Sequence, residues 1–595
     1  MDKLNNIIFY AGDQILLKRN EIFEGSLQLH GSGNNDHPIT LSSFGMGERP
    51  VINAGNHECA VTILDEQYWN VSNIETTGGD KAGIFIGCRK DDLLLNNISI
   101  TNCYVHDVGD TSKIDWDYSK STGGIIVVNG SFNNAGQPVF YNSVFNNVVV
   151  DGCLVRYNNK WTCISISSGK KNGKGGIANY IKNCTVEYSA ADGIRMNGVR
   201  NSFIEYCVLY RNGAWPKIEG RNLGGLGAWF FDAENCTIQF CEASYVGANT
   251  SDGGAFDIDY WQKNSTVQYC YGHNCAGYGV SVFGADAAFP TVNSTVRYNV
   301  FCNNGKDTAF AYQGDFYVYT WNGGSLNGVN IHDNISYWNP ARDAPSLKHD
   351  ASYTGNNSNS FTHNIIYSDE YSFVYSRNNT LKCDSNIYWS NAASPVWSDT
   401  KNKYYSLSDW QKNSGQDVHS SYTKYAKQIP SWYKYKIPAK PFRKNENDSD
   451  IKQGSKAPVF NVNAINQQKI NLDDYKRNPV LLCFISLQNL SQLVFIKSMQ
   501  KQYEEKGLKI ILIDESYLTN ASYAKQETLL NFISDHELKD IPLITDSDSL
   551  NLAEKYNVTL APTSFLIAGN IILNKWENLA LPAQLAFAIE DALKK

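Results

Sequence analysis

Hydrophobic and polar positions alternate in short runs over the first two thirds of the chain. Ile7-Ile8-Phe9-Tyr10, Ile15-Leu16-Leu17, Leu27-Gln28-Leu29 and Ile39-Thr40-Leu41 are each too short for a helix and are separated by Gly and Asn. A period of two over four to eight residues is the signature of a strand with one buried and one wet face. No helical period longer than two turns interrupts these runs. Met1-Asp2-Lys3 leads directly into strand-like sequence.

A phrase then recurs: Asn, a small residue, Thr or Phe, Val or Ile, any residue, Tyr or Phe. It stands at 183–188, 201–206, 235–240, 264–269 and 293–298, with a weaker copy at 359–364. The starts lie roughly 20–35 residues apart, the period of a solenoid unit. In each unit a short strand places Val or Ile inward. Asn turns the chain, because it tolerates left-handed backbone and bonds nearby peptide groups. One such unit cannot bury its own apolar face, so units must stack, and stacked Asn side chains can form a hydrogen-bonded ladder. A β-propeller would need about four strands per 40–45 residues and a blade signature; neither is present. The pattern predicts a parallel β-helix.

The pattern changes near residue 433. Pro438, Pro441 and the polar run 443–450 read as a linker over 433–456. Beyond it, Val480-Leu481-Leu482-Cys483-Phe484-Ile485 is a continuous apolar strand of the kind buried on both faces. Helical patterns at 492–506, 527–536, 549–556 and 581–594 alternate with strands at 508–513 and 563–567. That order predicts a small α/β layer domain over 457–595.

Composition sharpens this picture only in places. At 595 residues two or more domains are expected. The net charge of -7 has no basic block, which argues against a nucleic-acid partner or an anionic membrane surface. No apolar run reaches the length of a membrane span. The 36 Tyr and 13 Trp offer rings for stacking on sugars. The 14 Cys include no CxxC pair and no zinc spacing; most read as small buried hydrophobes, with disulfides left open.

Residues 11–19 (Ala-Gly-Asp-Gln-Ile-Leu-Leu-Lys-Arg) and the segments 409–411 and 415–420 resemble the opening and closing of right-handed parallel β-helix proteins of the pectate-lyase-like superfamily. The resemblance covers about residues 5–430 and implies a solenoid over 1–432. That superfamily spans hydrolases, lyases, epimerases, esterases and phage tail proteins, so it implies no single activity. No signal peptide is visible; the expectation is a bacterial protein that is secreted, periplasmic or at the cell surface, its export signal outside this sequence, with a cytoplasmic protein as the alternative. Residues 454–460 and 558–563 resemble the peroxiredoxin and disulfide-reductase branch of the thioredoxin-like superfamily, implying a cis Pro562. Where that branch carries its redox cysteines the sequence reads Ser486-Leu487-Gln488-Asn489-Leu490-Ser491-Gln492. Thiol chemistry needs a thiolate near a helix N-terminus, so this domain is read as redox-inactive. Docking on the β-helix or on a partner protein is its expected role.

The candidate chemistry centres on Asp252-Gly253-Gly254-Ala255-Phe256-Asp257-Ile258-Asp259-Tyr260-Trp261. Asp is a poor strand former, yet Asp257 and Asp259 alternate with apolar residues on one strand. Aligning strands by their inward residues gathers Arg195, Trp229, Asp257 and Asp259 on one outer face. Asp192 and Asp252, each before a Gly, are expected to share a column at its edge. Asp252, Asp257 and Asp259 are the candidate catalytic acids. The Asp252…Asp259 spacing resembles the paired aspartates of some β-helix glycosidases. Arg195, Trp229, Asp232, Tyr260, Trp261, His273 and Asp315 are candidate substrate-binding residues. Trp229, Tyr260 and Trp261 would be sugar platforms, His273 would stand at the groove rim, and Asp315 with Trp321 would wall the cleft.

Two carboxyls are what glycosidic cleavage needs, one to protonate the leaving oxygen and one to attack or to activate water. The expectation is a glycoside hydrolase acting on a poly- or oligosaccharide without a cofactor. The alternatives are a Ca²⁺-dependent polysaccharide lyase, in which the same aspartates hold the metal, and a non-catalytic glycan-binding scaffold.

Overall fold

The structure, a computed structural model, describes residues 1–110, 121–170, 173–214, 225–247, 252–305, 314–338, 345–351, 358–368, 373–376, 380–390, 397–399, 404–423, 451–485, 491–515, 526–535, 538–547, 550–558, 561–577, 580 and 582–594. The chain divides into two compact units, Met1–Tyr425 and Ala426–Lys595. Most of the linker expected at 433–456 lies outside the described residues. Ile451 packs into the core of the second unit, and Lys456 bridges to Ile571 there, so that unit begins earlier than residue 457.

In the first unit, successive coils each contribute one strand to each of three long sheets, and neighbouring coils pair parallel and in register. The first sheet runs from Gln14–Lys18 to Leu381–Asp384, with 13 strands among the described residues; the second, with 14, runs from Ile22–Glu24 to Ser421–Thr423. The third runs from Leu27–Leu29 to Trp397–Asp399. Parallel pairing stacks like on like. In the first sheet Ile204, Ile238, Val267, Val296, Ile331 and Phe361 form one inward column, all buried. These columns merge into one core along the solenoid.

The turns follow the repeat. Asn183, Asn201, Asn235, Asn264 and Asn293 all have left-handed backbone, with φ between 46° and 55°. Asn264 Nδ2 donates to Asn235 Oδ1 (2.8 Å) and Asn235 Nδ2 to Asn201 Oδ1 (3.2 Å), the expected ladder. The aromatic that ends each phrase stacks too: Tyr206, Phe240, Tyr269 and Tyr298 lie 4.9–5.2 Å apart. The weaker copy at 359–364 departs from this. Asn359 lies inside a strand, one position late, and bonds inward to Val329 N and Leu326 O.

A second spine runs inside the solenoid. Cys103, Cys153, Cys184, Cys207, Cys241 and Cys270 precede successive strands of the second sheet, and each thiol reaches a carbonyl of the previous coil at 3.5–3.8 Å. From the next coil onward Asn299, Asn334, Asn364 and Asn386 take over the position. All 14 cysteines are buried, and none is joined in a disulfide.

Both ends of the solenoid are covered. A short helix Asp2–Asn5 replaces the strand-like start expected there, and Met1 and Leu4 rest on the core. At the other end the helix Leu407–Ser414 buries Trp410, whose Nε1 donates to Asp417 (3.1 Å). The Asp417 carboxylate also accepts from Tyr388, Asn386 and Ser420.

The second unit holds a five-stranded sheet in the order Leu543–Thr545, Lys509–Asp514, Val480–Ile485, Thr563–Ala568 and Ile571–Glu577. The first three strands are parallel and the last two antiparallel. Helices Ser491–Tyr503, Gln526–Asp535, Leu552–Lys555 and Pro582–Leu593 accompany it, and the Ala561–Pro562 bond is cis.

The Asn spine carries more hydrogen bonds per coil than the Cys spine. Asn334 accepts from the Asn299 backbone and side chain and donates to Val296 O and Asn364 Oδ1. Asn334→Ala strands several buried groups and is expected to cost about 2–4 kcal/mol. Cys207→Ala loses only a small apolar group and a weak donor, about 1 kcal/mol. Circular-dichroism melts of the two variants, with the opposite ranking, would refute this account of the spine.

Candidate functional site

One outward column of the third sheet holds the candidate chemistry. Its register reads Phe85, Ile126, Ser165, Arg195, Trp229, Asp257, Ser281, Tyr317, Lys348. Phe256 and Ile258, on either side of Asp257, belong to the core, so Asp257 faces away from the solenoid interior. The two apolar members at the start of the column pack with Phe132 of the hairpin formed by Gly130–Phe132 and Pro138–Phe140; the Phe85 and Phe132 rings lie 5.0 Å apart. The polar part begins where that cover ends.

Within the polar part, Arg195 lies over the Trp229 ring at 5.5 Å. Burial pushes the Arg195 guanidinium down to about 10, against the favourable charges of Asp192 and Asp259. Asp257 is only 1% exposed, and Ser281 donates a hydrogen bond to its Oδ1. Asp252 and Asp259 are partly open to solvent. Asp259 accepts from the Tyr260 amide at 2.9 Å. All three carboxylates act on one phenol: Tyr278, pushed well up chiefly by burial, is raised further by the charges of Asp257, Asp252 and Asp259. Tyr260 is shifted the same way by burial and then by Asp259, Asp257 and Asp252.

The glycines of the motif make this arrangement possible. Gly253 takes φ 79°, and a Cβ on Gly254 would fall 2.0 Å from Tyr278 Cε2, so that ring lies flat on the Gly254 backbone. Gly277 leaves room in the same way for the Asp252 carbonyl.

Several expected site residues stand elsewhere or do other work. Trp229 is 2% exposed, packed with Leu226, Tyr278 and Tyr317, and so is no open platform. Tyr260 and Trp261 are half-buried at the surface. Asp232 is held by Lys170 in an ion pair of 2.7 Å at the edge of the patch. Asp192 and Asp252 share no column: extending the register aligns Asp192 with Leu226 and Gly254. Asp192 is buried and accepts from Trp161 Nε1 (3.0 Å) and Leu226 N (3.1 Å), which anchors the entrance of the Arg195 strand.

His273 is not at the rim. It lies on the second sheet, fully buried, 3.1 Å from Glu242 and stacked on Tyr271. Asp315 does not wall the cleft either. It precedes the strand Phe316–Trp321, and its Oδ2 accepts from Ser336 (2.6 Å), which shares the inward column of Phe301 and Ile366. The Asp315 carboxyl therefore lies inside the solenoid. Trp321, at the far end of the same strand, is 51% exposed. Reading from the sequence missed Tyr278, Lys170 and Phe289. Only Tyr278 left a trace, between the glycines 277 and 279.

Among the described residues no group of three or more His, Cys, Asp or Glu side chains is placed to hold a metal ion. No helix among them is long and apolar enough to cross a membrane. In the second unit, Cys483 is the one cysteine of the sequence beyond residue 383. It lies inside a strand, where burial pushes its thiol up to about 12. Gln492, near the start of the first helix, is bonded through both side-chain ends to the Ala580 backbone, at 2.6 and 3.0 Å. The segment 486–490 lies outside the described residues.

Residues 139–335 match the family described as right handed beta helix region, and residues 453–576 match the AhpC/TSA family. The chain is a right-handed β-helix joined to a thioredoxin-like domain. Over 117 residues it is 30% identical to the thiol-disulfide oxidoreductases ResA of Bacillus thuringiensis subsp. konkukian and Bacillus cereus. That segment is 19% of this chain, and the chain spans 62% of the length of those curated relatives. Among solved structures, the GH136 lacto-N-biosidase from Eubacterium ramulus is 19% identical, covering 61% of this chain and 60% of that one, with a TM-score of 0.42. A thiol:disulfide interchange protein DsbE from Chlorobium tepidum is 21% identical over 24% of this chain and 99% of that one, with a TM-score of 0.21.

The buried Asp315 makes a stability prediction. Burial raises its carboxyl from 3.8 to about 7. In the unfolded chain it ionises near 4, whereas folded it keeps its proton to about 7. The folded state therefore holds the extra proton between those values, and stability falls as pH rises from about 4 to 7, then levels off. A shift of that size corresponds to roughly 4 kcal/mol at most. Asp315→Asn preserves the shape and removes the titration. Its melting temperature, measured from pH 4.5 to 8 beside the parent chain, is expected to lose the Asp315 share of the fall; parallel curves would refute the assignment.

Proposed function

We propose that the first unit is a carbohydrate-active enzyme, a glycoside hydrolase in which Asp252 and Asp259 are the working carboxyls. The observation that carries this reading is that three aspartates of one turn-and-strand motif all act on Tyr278 and Tyr260, two of them partly open to solvent. Asp259 is the acid whose negative charge meets Arg195 and an N–H donor, which suits the group that must act as a carboxylate. It attacks the anomeric carbon directly or through a water. Asp252, on the neighbouring left-handed turn, gives its proton to the departing glycosidic oxygen. Asp257 lies beneath both, tied to Ser281, and shapes the field rather than touching the sugar.

The lyase alternative has less support. It needs several oxygen ligands around Ca²⁺, and the described aspartates form no such set. It also needs a base beside the uronate, and Arg195, the arginine of the column, is buried against Trp229.

The test is reducing-sugar release from a panel of soluble poly- and oligosaccharides. Asp252→Asn and Asp259→Asn are each expected to lower kcat by roughly 10²–10⁴-fold, and Asp257→Asn by a smaller factor. Unchanged turnover in both of the first two variants would remove the hydrolase reading. An unsaturated, ultraviolet-absorbing product would replace it with the lyase.

A further inference from the structure

Five aromatic rings from four successive coils meet beside Asp259. Phe231 contacts Tyr260 at 4.8 Å and Trp261 at 5.1 Å between ring centroids. Trp261 contacts Phe289 at 5.3 Å, and Tyr260 contacts Trp321 at 6.4 Å. The result is a continuous line, Trp321–Tyr260–Phe231–Trp261–Phe289. Its inner members are half-buried, but its two ends are not: Trp321 is 51% and Phe289 56% exposed. Single exposed apolar side chains are ordinary. Two large rings left in water at the ends of one aromatic line, whose neighbours meet at 40–86° beside Asp259, offer ring faces and edges in several directions to an apolar ligand face.

The charges around the line limit what that ligand is. Asp259 precedes Tyr260 directly, Asp232 is neutralised by Lys170, and Asp286 lies three residues before Phe289. Among the described residues, Arg195 is buried and already faces Asp192 and Asp259, and Lys170 is taken up by Asp232. An anionic ring would meet net negative charge here. A neutral pyranose would not: its C–H face packs on aromatic rings, and its hydroxyls donate to carboxylates.

We propose that Trp321, Tyr260, Trp261 and Phe289 form a binding subsite for a second, neutral pyranose ring of the substrate, beyond the bond that is cleaved. This rests on the hydrolase reading and extends it, because it requires a substrate of at least two sugar units. The rings come from separate coils and are set at angles to one another, so their spacing is fixed by the same stacking that fixes the aspartates.

The test uses the full chain carrying Asp259→Asn, with lactose, cellobiose and xylobiose as probes in isothermal titration calorimetry. At least one disaccharide is expected to bind, and adding Phe289→Ala with Trp321→Ala is expected to weaken that binding by tenfold or more. Binding of none of the three, or equal binding with and without the exposed rings, overturns the subsite. So does a dimer in sedimentation that dissociates in the ring variant, since a second copy would then be the occupant. Ring-dependent binding by a chain whose parent hydrolyses no glycan leaves the subsite standing and removes the hydrolase reading instead.

Discussion

Parallel stacking in register, at about 4.8 Å per coil, is the constraint on which the rest of this molecule depends. It sets Arg195, Trp229, Asp257 and Ser281 side by side, although they are separated by 24–34 residues in sequence. A slip of one residue would exchange Asp257 with Phe256 and drive a carboxylate into the apolar core. The left-handed asparagines are what prevent the slip. Each turns the chain at the same point of its coil, and Asn201, Asn235 and Asn264 bond one another from coil to coil. The acid patch is therefore a product of the turns as much as of the strand that carries it.

The same constraint decides what could be read from the sequence. Inward and outward positions follow from alternation, so the line of Arg195, Trp229 and Asp257 was legible before any coordinates. So were the ladder of turn asparagines and the cis Pro562. Exposure was not legible. Alternation says that Asp257 points outward, but not that neighbouring rings from later coils then cover it. Asp315 shows the opposite failure: beside Trp321 and two glycines it read as loop sequence, whereas the register places its carboxyl inside, opposite Ser336. His273 failed for a third reason. The sequence shows that it follows a glycine in a strand-like run, but not which of three sheets that run joins.

In the proposed hydrolase, burial separates the three aspartates into different tasks. A carboxyl 1% exposed and bonded to a serine is held in a fixed place. It cannot meet a substrate without the chain moving, whereas Asp252 and Asp259 can. A group held in place next to two partly open acids is one way to set their proton affinities apart, which an acid and base pair requires. Tyr278 contributes by filling the space over Gly254 and keeping water from that layer. The motif glycines thus belong to the site, although they carry no chemistry.

The internal spine changes character close to this site. Up to Cys270 each coil is tied to the last by a thiol, a weak donor with contacts near 3.7 Å; from Asn299 onward the tie is an amide at about 3.0 Å. An amide both donates and accepts, so each asparagine engages the coils on either side of it. The strand of Asp257 lies between the Cys241 and Cys270 positions, on the weaker side of the change, while its neighbours toward the C-terminus rest on the stronger side. Local opening should therefore be easier across the Arg195 and Trp229 coils than across the Tyr317 coil. That asymmetry follows from hydrogen-bond chemistry alone. It places the stiffer wall of the patch next to the strand that ends in Trp321, where a platform for a ring would need it.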